Sequence, residues 1–237
     1  MIPLFDFHTH ILPAMDDGSR TVEQSLAMLR KMAADGVRYV AATPHFYPHR
    51  ESPEEFLVRR EAAWETLSCA MEKEENLPTV LLGAEVYAFE GMGECEALHQ
   101  LTLAGGDTLL VELPMGAWSD RLLDELASVQ RNLGLIPVVA HIDRYLTRWN
   151  ARRVMARLAQ LPVFLQANSS FFLNRSTWRM AMQFLCDHRI HVIGSDCHDE
   201  TQRLPNLADA ARVIAEKTDE SWLSILYQNS VELISKV

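Results

Sequence analysis

The chain has 237 residues, of which 48% are hydrophobic, and this length suits one large α/β barrel or two small domains. Its formal net charge of −10 argues against sequence-independent binding to nucleic acid or anionic membranes, because both need a positive field. Charge alone does not exclude a nuclease, since a metal cluster can itself attract phosphate.

The four cysteines are scattered and contain no CxxC pair, which favours a reducing compartment over a disulfide framework. The first residues lack the basic region and long apolar run of a signal peptide. No apolar run approaches the ~18 residues of a membrane span. We therefore expect a cytoplasmic globular protein without membrane insertion. Nothing in the sequence predicts an oligomeric state.

Short apolar runs alternate with helical patterns from the start of the chain. The first run, residues 2–7, ends at His8. A helix begins at Thr21, where Gln24 three residues later predicts a capping box, and Gly36 closes the helix.

The alternation continues to the end of the chain. The second and third runs, residues 37–43 and 79–84, end at His45 and Glu85, and a helix from Ser52 to about residue 76 separates them. Residues 88–105 have no clean period. The later runs cover residues 108–111, 136–140, 163–167 and 190–194, and helices are predicted near 120–132, 150–160, 176–187, 206–217 and 220–230.

Seven β–α units in series, without a linker-like segment, predict parallel strands and a single domain over residues 1–237. The predicted fold is α/β, a closed or nearly closed barrel with about seven strands that varies the (β/α)₈ plan. An open doubly wound sheet is the alternative.

Almost every apolar run ends in a side chain that can bind a metal ion. These candidate ligands are His8, His10, Asp17, His45, Glu85, Glu112, His141, Asp196 and His198. In a β/α barrel the carboxyl ends of the strands converge on one face, so residues distant in sequence would meet there. Imidazoles with carboxylates suit Zn²⁺, Mn²⁺ or Fe²⁺, and nine ligands exceed one tetrahedral site. We therefore predict two or three bridged divalent ions.

Each of these signals is weak when taken alone. His8 and His10 share a strand face, which serves packing as well as metal binding. Asp196 can cap a turn, and Glu85 or Glu112 can pair with an arginine. Their combination favours the metal site, because so many buried, unpaired charges would be costly.

Two arginines are the best phosphate-binding candidates. Arg144 follows His141 by three residues, and Arg203 follows the seventh run. A guanidinium fork matches phosphate oxygens, although an ordinary ion pair is the alternative for each residue. Asn168 either orients substrate or water, or caps the next turn. His49 is a weaker candidate for approaching the substrate.

Cys197 and Arg203 have the C-x5-R spacing of cysteine-dependent phosphatases. The five residues between them include two carboxylates and no glycine, so they would repel phosphate and would not form a nest of amides. We interpret this match as coincidence.

Several segments together resemble a known family over essentially the whole chain, in order. Residues 5–13 followed by Asp16-Asp17-Gly18 resemble the opening motif of the polymerase-and-histidinol-phosphatase (PHP) superfamily. Other segments resemble a narrower branch, the bacterial manganese-dependent protein-tyrosine phosphatases linked to capsule and exopolysaccharide synthesis. These segments are residues 42–45, 83–87, 111–112, 140–145, 166–170 and 194–198.

The resemblance implies a distorted seven-stranded, TIM-like barrel and a trinuclear metal centre formed by the nine candidate ligands. Manganese is the expected ion, with Fe²⁺, Zn²⁺ or Mg²⁺ as alternatives. The resemblance also implies that Arg144 and Arg203 bind phosphate, and that the substrate is the phosphotyrosine tail of a bacterial tyrosine kinase. Residues 46–50 and 88–96 depart from the pattern.

Other functions compete with this interpretation. A histidinol-phosphate or other small-molecule phosphatase would use the same scaffold. A nuclease is disfavoured by the acidic surface and by the lack of interleaved arginine and aromatic patches. A regulatory module without turnover would be expected to have lost ligands.

Overall fold

The computed structural model describes residues 2–234. Short parallel strands alternate with helices along this part of the chain. The strands are β1 (Leu4–Thr9), β2 (Val37–Ala42), β3 (His45–Phe46), β4 (Thr79–Leu82), β5 (Glu85–Tyr87), β6 (Thr108–Glu112), β7 (Ile136–Val139), β8 (Phe164–Asn168) and β9 (Val192–Gly194). The helices are α1 (Val22–Ala34), α2 (Pro53–Met71), α3 (Asp120–Leu133), α4 (Ala151–Leu158), α5 (Ser169–Leu173), α6 (Trp178–Cys186), α7 (Leu207–Lys217) and α8 (Ser221–Ile234).

The strands pair in chain order within two sheets, β1-β2-β4 and β3-β5-β6-β7-β8-β9, and every pair is parallel. A bridge between Thr9 and Cys197 joins the end of β1 to the segment after β9. The His10 amide also donates to the Cys197 carbonyl at 3.0 Å. In a doubly wound sheet the strand order reverses at a switch point, so the open-sheet alternative is wrong.

Two strand positions are interrupted. Two residues separate β2 from β3, and two separate β4 from β5. Hydrogen bonds from Gly83 N to Ala42 O (2.9 Å) and from Glu85 N to Pro44 O (3.0 Å) carry the pairing across both breaks. The predicted runs, residues 37–43 and 79–84, stop at these breaks, so the sequence did not predict the short strands β3 and β5 that follow them. At the first break Pro44 has no amide to donate to a ladder.

Helix starts follow their capping residues. Ser52 and Glu55 form the full capping box of α2. At α1, Thr21 accepts from the Gln24 amide, but the Gln24 side chain accepts from the amide of Arg20. The predicted box of α1 is therefore only half formed.

Other differences from the predicted elements are small. Helix α2 ends at Met71, short of residue 76, and residues 88–105 contain three short 3₁₀ segments instead of regular structure. Helix α5 follows β8 without a break, so its single turn leaves no period in the sequence.

Alternate residues of the strands pack into two apolar clusters. The larger cluster joins the helices to strand residues such as Val40 and Val139. The smaller one contains Phe7, Leu110 and Val138, which lie on the opposite face of the strands because side chains alternate along a strand. Among residues 2–234, no helix combines the length and apolar character needed to cross a membrane.

Candidate metal centre

The carboxyl ends of β1, β2, β4, β6, β7 and β9, and the segments that follow them, place all nine predicted ligands on one face of the fold. Their positions are His8 on β1, His10 directly after it, Asp17 on the following loop, His45 and Glu85 at the first residues of β3 and β5, Glu112 at the end of β6, His141 two residues after β7, and Asp196 and His198 after β9. Each has a side-chain nitrogen or oxygen within 4 Å of another member.

Two glycines permit the close backbone approaches on which this arrangement depends. A Cβ atom on Gly194 would lie 2.6 Å from the His8 Cβ, and one on Gly18 would lie 2.3 Å from the His10 carbonyl oxygen. Both distances are shorter than any real contact, so only glycine lets β9 and the Asp17 loop pack against β1.

Three histidines have one ring nitrogen occupied by a hydrogen bond and the other directed into the centre. The Nδ1 atoms of His8, His10 and His198 lie 3.2 Å from Gln166 Oε1, 2.7 Å from Asp16 Oδ2 and 2.9 Å from the Asp196 carbonyl oxygen, respectively. Each acceptor holds the proton on Nδ1, which leaves the Nε2 lone pair free to bind a metal.

Glu85 lies at the middle of the cluster, and its side chain is fully buried. Its Oε2 is 2.9 Å from His45 Nδ1 and 3.2 Å from His8 Nε2. Its Oε1 is 2.7 Å from His141 Nε2. A carboxylate with imidazoles on both oxygens can bridge two ions.

The remaining ligands flank Glu85 on two sides. The Oδ1 of Asp17 is 3.3 Å from His198 Nε2 and 3.5 Å from His45 Nε2. On the other side, Glu112 Oε1 is 3.6 Å from His141 Nε2. Three groups of ligand atoms within 4.8 Å of one another result, namely His10, Asp17, His45 and His198; His8, His10 and Glu85; and His45, Glu85 and Glu112.

Several of these buried atoms have no hydrogen-bond partner in the described residues. They include His45 Nδ1, Glu85 Oε2, Glu112 Oε2 and His198 Nε2. Buried polar atoms are rarely left unpaired, because each costs roughly 1–3 kcal/mol. The donor chemistry and the orphaned atoms therefore fit one or more divalent cations.

The titration behaviour of three ligand carboxylates reflects their crowding. Burial alone would raise the pKa of Glu85, but the positive charge of a protonated His8 and the close imidazoles of His10, His141 and His45 hold that pKa well below its usual range. Burial, reinforced by the negative charge of Glu85, raises the pKa of Glu112. The nearby His198 imidazole lowers the pKa of Asp17 to about 2.

The backbone is strained at two of the ligands. His141 has φ 32° and Asp196 has φ 54°, both in the left-handed region that disfavours side chains with a Cβ. Each such residue costs of order 1–3 kcal/mol, and the surrounding structure must hold it there. The conformation turns both side chains from the strand ends into the cluster.

Both predicted phosphate-binding arginines converge on one ligand. Arg144 Nη2 donates to Asp196 Oδ2, and Arg203 Nη2 donates to Asp196 Oδ1 at 2.7 Å. Their side chains are 32% and 37% exposed, so each guanidinium retains donors that face solvent. The ion-pair alternative thus describes part of what each arginine does here.

Two polar residues that the sequence did not assign, Asp16 and Gln166, hold the ligands in place. Asp16 accepts from the His45 amide at 2.9 Å as well as pairing with His10. Gln166 Oε1 accepts from the His141 amide at 2.6 Å, and Gln166 Nε2 donates to Asn168 Oδ1 at 3.0 Å.

This chain of hydrogen bonds ends on a ligand, because Asn168 Nδ2 donates to Asp196 Oδ2 at 2.8 Å. Asn168 precedes α5 but makes no side-chain cap, so the capping alternative does not form. Asp16 could have been found from its place beside Asp17, and Gln166 from its position two residues before Asn168 on the same strand face.

A cavity of about 1000 Å³ opens from the Asp17 and His45 side of the centre. Tyr47 lines this cavity and stacks on His45 with ring centroids 5.1 Å apart. Tyr87 and His49 both contact the Tyr47 ring, each with a distance of 5.7 Å between ring centroids. His49, a weaker candidate from sequence for approaching the substrate, lies in an aromatic group beside the cluster.

The remaining histidines lie outside the cluster, and Cys197 is not poised as a nucleophile. His99 and His188 are exposed, and the His191 ring accepts from the Leu165 amide. Cys197 is fully buried, and burial raises the pKa of its thiol well above the ordinary value. A neutral, enclosed thiol argues against the cysteine-phosphatase alternative.

Similarity to known proteins agrees with this geometry. "Tyrosine-protein phosphatase CpsB" of Streptococcus agalactiae is 29% identical over 98% of both chains. "Tyrosine-protein phosphatase YwqE" of Bacillus subtilis is 28% identical over 98% of this chain and 91% of its own.

Solved structures agree as well. One match comes from crystal structures of YwqE from Bacillus subtilis and CpsB from Streptococcus pneumoniae, described as unique metal-dependent tyrosine phosphatases. Its TM-score is 0.86 at 26% identity, covering 98% of this chain and 95% of that one. A β-aspartyl dipeptidase from Fervidobacterium islandicum shares the fold alone, with a TM-score of 0.57 at 11% identity over 98% of this chain and 75% of that one.

The family description "Capsular polysaccharide synthesis, CpsB/CapC" matches residues 4–235. This match spans nearly the whole chain and includes every residue of the candidate metal centre. The chain therefore belongs to the CpsB/CapC family.

Proposed function

We propose that the chain is a metal-dependent protein-tyrosine phosphatase whose substrate is phosphotyrosine on a bacterial tyrosine kinase that regulates capsule or exopolysaccharide synthesis. The observation that carries the proposal is the set of imidazoles whose Nδ1 atoms are held by acceptors while their Nε2 atoms face the buried Glu85. The names of the relatives and the family description supply the substrate class.

In this proposal the nine strand segments act as seven positions of a distorted (β/α)₇ barrel. A single PHP-type domain covers residues 1–237. Two or three divalent ions, Mn²⁺ by preference, bind the nine ligands. These ligands are His8, His10, Asp17, His45, Glu85, Glu112, His141, Asp196 and His198.

Bound divalent ions would supply an activated water and neutralise developing charge on the phosphoryl group. Arg144 and Arg203 would bind the phosphoryl oxygens through the donors that Asp196 does not use. Asn168 and Gln166 hold Asp196, His8 and His141 in place during this exchange of partners.

The cavity beside Tyr47 fits the aromatic leaving group. A substrate ring lying against Tyr47 and Tyr87 would have its phosphate directed toward His45 and Asp17. A tyrosine phenolate, with a pKa of about 10, leaves with less proton assistance than an alkoxide. This site therefore needs no dedicated strong general acid.

The first test is phosphate release from a phosphotyrosine peptide and from histidinol phosphate. Each substrate is given to metal-loaded, chelator-treated and Mn²⁺-restored protein. We expect chelator-sensitive activity on the peptide that manganese restores, with little release from histidinol phosphate.

Other results would revise the proposal in different ways. A preference for histidinol phosphate would keep the metal site and change the substrate. The metal assignment would be overturned by activity that is unaffected by chelator. It would also be overturned if the His141→Ala protein kept full activity and metal content. A cytoplasmic location belongs to the same proposal, with the scattered, unpaired cysteines in its favour.

A further inference from the structure

The charges of this acidic chain are strongly segregated. Residues 144–186 contain seven arginines and no aspartate or glutamate, although the whole chain has a net charge of −10. The first part of this segment starts inside the candidate metal centre, at Arg144, and continues into α4.

This part of the segment forms one wall of a groove of about 290 Å³, separate from the cavity beside Tyr47. Buried Trp118 and Tyr145 also line the groove and pack against each other, with ring centroids 5.0 Å apart. Three arginines line the groove, and none of its lining residues is acidic. The groove therefore combines apolar walls with positive charge.

The three arginines differ in what they contact. Arg144 pairs with Asp196, so it belongs to both the groove and the metal centre. Arg157 donates to the Trp118 carbonyl at 2.8 Å and to Asp120 at 2.6 Å. Arg153 is exposed and has no carboxylate within 4.0 Å among the described residues. One guanidinium thus remains available to an incoming anion.

The cavity beside Tyr47 has the opposite character. Glu51, Glu54 and Glu55 line it together with Asp17. A polypeptide that reaches the centre would therefore meet positive charge in the groove and predominantly negative charge in the cavity.

We infer that the groove lined by Arg144, Arg153 and Arg157 binds an acidic side chain of the substrate polypeptide, a few residues to one side of the phosphotyrosine. The inference rests on the proposed function and specifies its substrate as a one-sided acidic phosphotyrosine segment. The groove has room for one or two side chains and not for a folded domain. Charge complementarity fixes the direction in which the segment lies across the centre.

The test uses phosphotyrosine peptides of equal length that carry glutamates before the tyrosine, glutamates after it, or glutamines at both places. We expect one acidic peptide to have a kcat/KM about fivefold above the glutamine peptide at low salt, with the preference shrinking as salt rises. In Arg153→Glu this ratio should fall to one or below, and Arg153→Lys should keep most of it. Arg179→Glu, which reverses an exposed charge of the same segment outside the groove, should keep the wild-type ratio.

A second measurement separates the two proposals. Fluorescence anisotropy of labelled, unphosphorylated acidic and glutamine peptides measures binding to the groove without turnover. Binding of the acidic peptide that Arg153→Glu abolishes, in a protein inactive on phosphotyrosine, would keep the groove and overturn the phosphatase.

The groove inference would be overturned by equal kcat/KM for all three peptides, or by an Arg153→Glu ratio equal to that of wild type. It would also be overturned if phosphatidylglycerol vesicles, and not acidic peptides, bound in an Arg153-dependent way, since the groove would then be a membrane-binding patch.

Discussion

The two ends of the parallel strands contrast sharply. At the carboxyl ends, fully buried positions hold Glu85 and His141, with side-chain atoms that lack hydrogen-bond partners in the described residues. Nearer the amino ends, Phe5 packs on Phe7 and Tyr39 at ring-centroid distances of 5.7 and 5.6 Å, in an apolar cluster.

The difference indicates what each end contributes. Unpaired polar atoms and left-handed backbone at His141 and Asp196 lower the stability of the carboxyl ends, and bound cations would offset that cost. The apolar cluster holds the strands that carry the strain. Substitutions at the carboxyl ends should therefore lower activity, and substitutions in the apolar cluster should lower stability.

Glu85→Gln is expected to have the largest effect. We expect kcat/KM on a phosphotyrosine peptide to fall on the order of 10³-fold, because the amide removes the charge that the surrounding imidazoles share. Metal should raise the melting temperature of the wild type and not that of the variant. Glu65→Gln on the exposed side of α2 is the matched control. Unchanged metal content and activity in Glu85→Gln would refute the central role of this carboxylate.

Leu110→Ala tests the apolar cluster. Leu110 is fully buried on β6, so the variant should lose about 3 kcal/mol of unfolding free energy in urea titrations. The folded fraction should keep its activity. Val58→Ala, at a side chain that is 71% exposed, should change stability by less than ~0.5 kcal/mol. A Leu110→Ala protein that is stable but inactive would remove the contrast between the two ends.

Asp16→Asn tests a residue that positions the metal ligands His10 and His45. Asp16 contacts both His10 and the His45 amide, so its loss should weaken metal affinity by about 10- to 100-fold. Excess Mn²⁺ should restore most of kcat, because the variant is expected to bind metal weakly. A variant that was damaged in the chemical step would not recover with added metal. Asp124→Asn, at a side chain that is 74% exposed, serves as control in the metal titration. An affinity equal to that of wild type would show that His10 needs no such support.

Tyr47→Leu should have the smallest effect of the four. Loss of the ring beside His45 should lower kcat/KM for a phosphotyrosine peptide by about fivefold, and that for glycerol phosphate by less. Tyr47→Phe keeps the ring and should keep the preference. If kcat/KM fell equally for the peptide and for glycerol phosphate, Tyr47 would act by supporting His45 and not by contacting the substrate.

The sequence by itself determined the alternation of strands and helices and the residues that end the strands. Both are local properties, since hydrophobic period and helix caps such as Ser52 depend on near neighbours. Parallel strands then bring their carboxyl ends together whatever the details of packing, so His8, His141 and Asp196 could be grouped from sequence.

Only the tertiary structure decided how the site is held. The pairing of His8 with Gln166 joins residues 158 positions apart, and no local pattern encodes it. The same is true of the contact between Arg144 and Asp196. Periodicity places a residue on a face of its own strand or helix. The hydrogen bonds that direct an imidazole nitrogen depend instead on where distant strands come to lie beside one another.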